Sequence, residues 1–67
     1  MIYDIYAMFM EGSYLVASSN DSNHGMDMCE KVCRRIGQQP MAISAMIRGE
    51  HVLNGNIFNL NDLNKRG

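Results

Sequence analysis

The sequence predicts a single small α+β domain over residues 1–67, in which one helix packs on one face of an antiparallel sheet of three to four strands. Three features of the chain predict this arrangement. Two segments with alternating side chains come first, an amphipathic segment of helical periodicity follows, and two further strand-like segments complete the order β-β-α-β-β. Because each apolar face has to be covered, a sheet and a helix of this size are expected to form two layers.

Residues 2–10 predict the first strand, because apolar and aromatic side chains alternate there with a period of two. The face expected to be buried carries Tyr3, Ile5, Ala7 and Phe9. The opposite face carries Ile2, Asp4, Tyr6, Met8 and Met10. The pair Glu11-Gly12 predicts a hairpin turn, since a short connection with glycine separates this run from a second one at residues 13–18.

A polar cluster at residues 18–23 ends the hairpin and supplies side chains that cap helix N-termini. A helix is expected from about residue 23 to residue 36, with acidic residues early and basic residues late, as the helix dipole favours. Its apolar stripe consists of Met26, Cys29, Val32, Cys33 and Ile36. Gly25 weakens the first turn, which leaves a start nearer Met26 as an alternative. Gly37 suits the left-handed residue that follows a helix.

Residues 41–48 predict a third strand, whose inner face carries Met41, Ile43, Ala45 and Ile47. A bulge or kink is expected at Gly49, since glycine inside a strand pattern is typical of one. The pair Asn54-Gly55, flanked by apolar residues, predicts a hairpin turn into a fourth strand at residues 57–58. The competing interpretation places the turn at residues 49–50 and reverses the register of everything that follows.

The last segment, residues 59–67, is expected to form one helical turn around Leu60 and Leu63, with residues 61–67 prone to fray. No internal repeat, proline-rich linker or low-complexity tract interrupts the chain. A second domain is therefore not predicted.

Charge and motifs exclude several functional classes. Seven acidic residues against six basic ones give a net charge of −1, which is too small for nucleic-acid mimicry or for non-specific nucleic-acid binding. The nucleophile elbow, the P-loop and the dinucleotide fingerprint are missing. Ser44 has no histidine near it in sequence, and Asp4 is expected to be solvated. We therefore predict no enzymatic activity and no cofactor.

The two cysteines are expected to be buried free thiols that act as small core residues. Cys29 and Cys33 have one residue more between them than a thioredoxin-like motif. His24 and His51 are the two histidines, and their spacing from the cysteines matches no zinc-binding pattern. The sequence therefore predicts no metal site.

The chain is expected to be cytoplasmic. No apolar run approaches the ~18 residues that a membrane-spanning helix needs. The opening residues, MIYDIYAMFM, carry no positive charge at their start and are interrupted by Asp4, so they do not resemble a signal peptide. Two cysteines without a secretory leader indicate a reducing compartment.

The sheet face that a single helix leaves uncovered is the strongest indication of function. An exposed apolar patch of several hundred Å² is more than most monomers show, and tyrosine, methionine and arginine are enriched in interface cores. The predicted partner-binding residues are Tyr6, Met8, Met10, Met46, Arg34, Arg35 and Arg48.

We therefore expect a small non-enzymatic protein-binding module that occludes a surface on a larger protein or protein complex, alone or as a homodimer. Small domains without chemistry of their own commonly act in this way in viral genomes, as inhibitors of host enzymes or defence complexes. The alternative is a nucleic-acid-binding regulator that uses the basic end of the helix, at Lys31, Arg34 and Arg35, together with Arg48. A steep fall of affinity with salt would indicate this alternative.

Overall fold

The computed structural model describes residues 1–50 and 53–66, and it confirms the predicted α+β class. Four strands form one sheet, and the main helix packs on one face of it. The elements in chain order are β1 (Tyr3–Phe9), β2 (Gly12–Ser19), α1 (Ser22–Arg35), β3 (Ala42–Ile47), β4 (Asn56–Phe58) and α2 (Leu60–Lys65). Across the sheet the strands follow the order β3-β1-β2-β4.

β1 and β2 form the predicted antiparallel hairpin, with its turn at residues 10–11. One irregularity interrupts the pairing. Ile5 lies opposite Ala17, but Tyr6 lies opposite Leu15, which leaves Val16 as an extra residue in β2. Because of this bulge, two consecutive residues of β2, Val16 and Ala17, contribute to the core.

α1 begins and ends close to the predicted limits. Its N-cap is Asp21, whose carboxylate accepts hydrogen bonds from the backbone N–H groups of residues 23 and 24 at 2.9 and 3.2 Å. This cap fixes the start at Ser22, so the alternative start near Met26 is wrong. After the helix, Gly37 takes a left-handed φ of 75°, as expected.

The core lies between α1 and the sheet, and the predicted inner face of β1 is confirmed. The buried residues that form it are Ile5, Ala7, Phe9, Tyr14, Val16, Cys29, Cys33 and Leu63. α1 packs closely against β1 at Gly25, where a Cβ atom would lie 2.6 Å from Cδ1 of Ile5. Gly25 is therefore buried, whereas Met26, assigned to the stripe from sequence, is 36% exposed.

The predicted hairpin between the third and fourth strands is wrong. β3 pairs antiparallel with β1 at one edge, and β4 pairs parallel with β2 at the other, so the sheet is mixed rather than antiparallel. The chain turns directly after β3, where Gly49 has a φ of 85° and the N–H of Glu50 donates to the Ile47 carbonyl at 3.1 Å. Gly55 is also left-handed, with a φ of 88°, but it bends the chain into β4. Val52, on the flank of the predicted turn, lies outside the described residues.

Two contacts explain why β4 lies beside β2. Gly12 has no side chain, and a Cβ atom there would lie 2.5 Å from the carbonyl oxygen of Asn56. Two pairs further along, the rings of Tyr14 and Phe58 stack with their centroids 4.8 Å apart. Both contacts join residues far apart in the chain, so local turn signals do not predict them.

α2 is longer than the single helical turn expected from sequence, and it covers residues 60–65. Asn59 and Asp62 form a capping box at its start, at 3.0 and 3.1 Å. Leu63 is fully buried in the core, which anchors this part of the segment for which fraying was expected. Gly67 lies outside the described residues.

Arg66 fastens the end of α2 to the hairpin turn. Its Nε donates to Oε2 of Glu11 at 2.6 Å, and its guanidinium lies 3.8 Å from the centre of the Phe9 ring. The Tyr14 hydroxyl donates to the same Glu11 oxygen at 2.7 Å. The hydrogen bond from Arg66, followed by the one from Tyr14, lowers the pKa of Glu11 from its ordinary 4.5 to about 2.

Candidate protein-interaction surface

The outer face of the sheet, opposite α1, carries several predicted partner-binding residues, but the side chain at its centre is buried. Tyr6 is only 5% exposed and lies between Leu15 on β2 and Ser44 on β3. Burial raises the pKa of the Tyr6 hydroxyl, and the charge of Asp4 raises it further. Tyr6 does lie on the face opposite the helix, as predicted, but the expectation of an exposed anchor there is wrong.

The strand order separates β3 from β4. β3 ends at one edge of the sheet, and β4 begins at the other edge and at the opposite end. On the outer face, the guanidinium of Arg48, the residue that follows β3, lies against Asp4.

Asp4 is the centre of a polar cluster on the outer face. Its Oδ1 accepts hydrogen bonds from Ser18 Oγ at 2.9 Å and from Arg48 Nε and Nη2 at 3.1 and 2.8 Å. Arg48 Nη2 also lies 2.9 Å from Ser18 Oγ. Asp4 is 6% exposed, so the expectation that it is solvated is wrong. The cluster ties β1 and β2 to the residue that follows β3.

Arg48 was predicted to bind a partner, and the structure gives its guanidinium a structural contact. Its hydrogen bond to Asp4 raises the pKa of Arg48 further above its ordinary value, so the pair stays charged. More than half of the Arg48 side chain, 57%, remains exposed. A contact between Arg48 and a partner stays a prediction.

The predicted methionine patch survives only in part. Met8 and Met46 lie on the outer face and are half-buried. Met10 lies in the hairpin turn and is 90% exposed. Ile57 on β4, half exposed, lies in the same row of paired residues as Met8. The apolar surface of the outer face is therefore concentrated near the hairpin turn.

Arg34 and Arg35 lie on the last turn of α1, in the other layer of the domain. Arg34 pairs with Glu30 on the same helix at 2.6 Å, and Lys31 pairs with Asp27 in the same way at 3.0 Å. The structure therefore does not bring the seven predicted partner-binding residues into one surface.

Both cysteines are buried free thiols, as predicted. Burial, with the neighbouring Cys33 sulfur as a second cause, raises the pKa of the Cys29 thiol to about 12, and burial also raises the pKa of Cys33. Thiols held protonated in this way are poor nucleophiles. Within residues 1–50 and 53–66, no three His, Cys, Asp or Glu side chains form a group that would hold a metal ion. His51, considered as a ligand from sequence, lies outside these ranges.

A groove that the sequence did not predict lies between α1 and β3. Its volume is about 650 Å³, and its lining includes Met26, Glu30, Cys33, Arg34, Pro40 and Ile43. The charged residues among these are Glu30 and Arg34, and they form an ion pair with each other. Met41, directly before the strand that borders the groove, is 67% exposed.

The edge of the sheet beside this groove is open. In the part of the chain that the structure describes, β3 pairs with β1 alone. The N–H of Arg48 donates to the carbonyl of Ile2 at 2.8 Å, and hydrogen-bonded pairs alternate along an antiparallel ladder. The register therefore turns the backbone groups of Ile43, Ala45 and Ile47 away from β1. The Ile47 carbonyl accordingly accepts from Glu50 in the turn outside the ladder.

β3 lacks the usual protections of an edge strand. Its six residues, AISAMI, contain no charge and no proline, whereas natural edges are commonly short, charged or bulged. The other edge, β4, has three residues. Arg48, the charge adjacent to β3, extends across β1 to Ser18 on β2, away from the edge.

No protein-family model matches the chain, and comparison with curated proteins and with solved structures finds no match. Among the described helices, none combines the length and the apolar character needed to cross a bilayer.

Proposed function

We propose that this protein is a non-enzymatic protein-interaction module that binds an extended segment of a second polypeptide along the edge of β3. The observation that carries the proposal is the open, uncharged edge of β3 beside the groove under α1. Extended segments add to such edges as new strands, with affinity from main-chain hydrogen bonds and selectivity from neighbouring pockets.

The module acts by occupation. A segment that pairs with Ile43, Ala45 and Ile47 is withdrawn from its other contacts, and the body of the domain covers the surface around it. We therefore propose the sheet edge, rather than Tyr6, as the surface that the second polypeptide occupies. The reducing cytoplasm suits this role, since Cys29 and Cys33 are free thiols.

The pairing of the basic side chains favours a protein partner over a nucleic acid. Lys31, Arg34, Arg48 and Arg66 each lie within 4 Å of a carboxylate of the same chain. A phosphate contact would have to replace these ion pairs, and the net charge of −1 supplies no compensating field.

Affinity capture from the native host, with wild-type protein and with Ala45→Pro, tests the proposal. The N–H of Ala45 points away from β1, so proline removes an edge donor without removing a bond of the β1–β3 ladder. We expect the wild type to capture a protein whose binding withstands nuclease treatment and ~1 M salt. The captured amount is expected to fall at least tenfold with Ala45→Pro. Far-UV circular dichroism must show that the variant remains folded.

The double variant Met8→Ala with Met10→Ala is the matched control, because it removes apolar side chains from the outer face and the hairpin turn and leaves β3 unchanged. We expect it to capture the same protein as the wild type does. Loss of capture in this control, with Ala45→Pro unaffected, would place the site on the outer face. Recovery of salt-sensitive nucleic acid alone would favour the nucleic-acid alternative.

A further inference from the structure

The side chains of β3 form a pattern that is the same when read in either direction. On the core side of the strand, the residues are Ile43, Ala45 and Ile47, which is symmetric about Ala45. These are the same three residues whose backbone groups point outward from the sheet. The centre of side-chain symmetry and the centre of the outward-pointing backbone groups therefore coincide at Ala45, with the Ile47 carbonyl also accepting from the N–H of Glu50.

We infer that the second polypeptide is another copy of this chain, and that the two β3 strands pair antiparallel about a twofold axis at Ala45. The inference rests on the proposed function, because it names the occupant of the same edge. The pairing joins two four-stranded sheets into one continuous sheet of eight strands. It is isologous, since each copy offers the same patch to the other.

This register matches side chains across the axis. Ile43 of each copy lies opposite Ile47 of the other, and Ala45 lies opposite its own counterpart. Cross-strand pairs of β-branched residues are favourable. A shift by two residues would place Ile43 opposite Ala45 and lose this match.

The charges near the edge also permit self-association. The outer side of β3 carries Ala42, Ser44 and Met46, so no like charges meet across the strand pair. Arg48, which would lie opposite Ala42 of the other copy, is held by Asp4 at 2.8 Å. In the adjoining groove, Glu30 and Arg34 are already paired at 2.6 Å, so each copy presents a neutral pair to the other.

Sedimentation equilibrium of the full chain measures the first consequence. We expect a mass of twice 7.6 kDa at high concentration, falling to the single-chain value on dilution. Ala45→Pro is expected to stay at the single-chain mass at the highest concentration, with an unchanged far-UV spectrum. Where proline unfolds the protein, a synthetic chain with an N-methyl group on Ala45 removes the same donor.

Disulfide trapping measures the register. With the axis at Ala45, the two Ala45 Cα atoms lie about 5.5 Å apart, within the reach of a disulfide. The two Ile43 Cα atoms are offset by four residues, or about 13 Å, beyond that reach. Mild oxidation is therefore expected to give a covalent dimer of Ala45→Cys and not of Ile43→Cys. The native thiols of Cys29 and Cys33 are buried, so the wild-type chain is expected to form no covalent dimer and serves as the control.

Three results would overturn the inference: a single-chain mass at every concentration, a dimer that Ala45→Pro leaves intact, or equal trapping at positions 43 and 45. These results separate it from the proposed function. A monomer whose capture of another protein still depends on Ala45 overturns the self-pairing and leaves the proposed function standing. If Ala45→Pro changes neither the capture of a partner nor the assembly of the dimer, both the self-pairing and the proposed function are overturned.

Discussion

Replacing Leu63 with alanine is expected to destabilise the whole domain, although Leu63 lies only four residues before the last residue of the sequence. Its side chain is fully buried against the core. Removal of three buried carbon groups at ~0.8 kcal/mol each costs about 2.4 kcal/mol. The cavity left behind raises this loss to as much as ~5 kcal/mol. A domain of this size is stable by roughly 0.05–0.15 kcal/mol per residue, or ~3–10 kcal/mol in total.

Urea unfolding followed by far-UV circular dichroism measures the loss. Leu60→Ala is the matched control, because it makes the same change in the same helix at a residue that is 37% exposed. We expect Leu60→Ala to cost only about 1.5 kcal/mol, since 37% of this residue is already exposed and the ~2.4 kcal/mol transfer loss falls in proportion. If Leu63→Ala leaves too little folded protein to measure, Leu63→Val gives a smaller loss in the same direction. Equal losses at the two leucines would show that α2 does not pack as described.

Three further perturbations test other contacts. Gly25→Ala places a Cβ atom 2.6 Å from Cδ1 of Ile5, and the overpacking cost of ~1–3 kcal/mol is expected to exceed the helix-propensity gain of ~1 kcal/mol. Ile5→Ala should then cost less in the Gly25→Ala background than in the wild type, and strict additivity in urea unfolding would contradict this. Glu11→Gln is expected to be less stable than the wild type above pH 4.5, where the unfolded carboxyl is ionised. Because the folded pKa is lowered from 4.5 to about 2, this difference should shrink as the pH falls and vanish near pH 2; a difference independent of pH in thermal melts would refute it. Asp4→Asn removes the charge of the buried carboxylate that Arg48 contacts and is expected to cost ~1.5–3 kcal/mol, against less than ~1 kcal/mol for Glu30→Gln in an exposed pair; similar melting temperatures for the two variants would refute the role of the Asp4 cluster.

The parts of the fold that depend on local periodicity were predictable. The alternation in β1 placed Ile5, Ala7 and Phe9 on the core side, and all three are buried. The cap at Asp21 and the left-handed Gly37 bound α1 to within one residue of its expected ends. Each of these features is decided by neighbours in sequence, since a strand has a period of two and a helix a period of 3.6.

The parts that depend on which strands become neighbours were not predictable. Asn54-Gly55 strongly favours a local hairpin, but this pair does not indicate which other strand could pair with the residues that follow it. That partner is β2, where Gly12 allows close approach and Tyr14 stacks on Phe58. The local turn signal therefore predicted the wrong neighbour for β4.

The same topology explains why the candidate site moved from the face to the edge. Asp4 and Arg48 are 44 positions apart, so their pairing is invisible in the sequence, although an acid on the outer side of β1 and an arginine at the end of β3 were both recognised. This pair holds the Arg48 charge away from the sheet edge, and the six residues of β3 itself are uncharged. The symmetric spacing of Ile43, Ala45 and Ile47 is the one signal in the sequence that would have pointed to this edge.

Stability and association are coupled in a domain of this size. A chain of 67 residues buries only about 60% of the surface that its unfolded form exposes, so its core leaves a small margin. In the dimer inferred above, a second copy on β3 would cover the half-buried Ile43 and Ile47 and would add hydrogen bonds that only the folded state can make. Association that requires the folded edge stabilises the folded state by mass action. The cluster of Asp4, Ser18 and Arg48 then contributes to both stability and association. It holds β1 and β2 to the end of β3, and it keeps the Arg48 charge away from the edge where a second copy would bind.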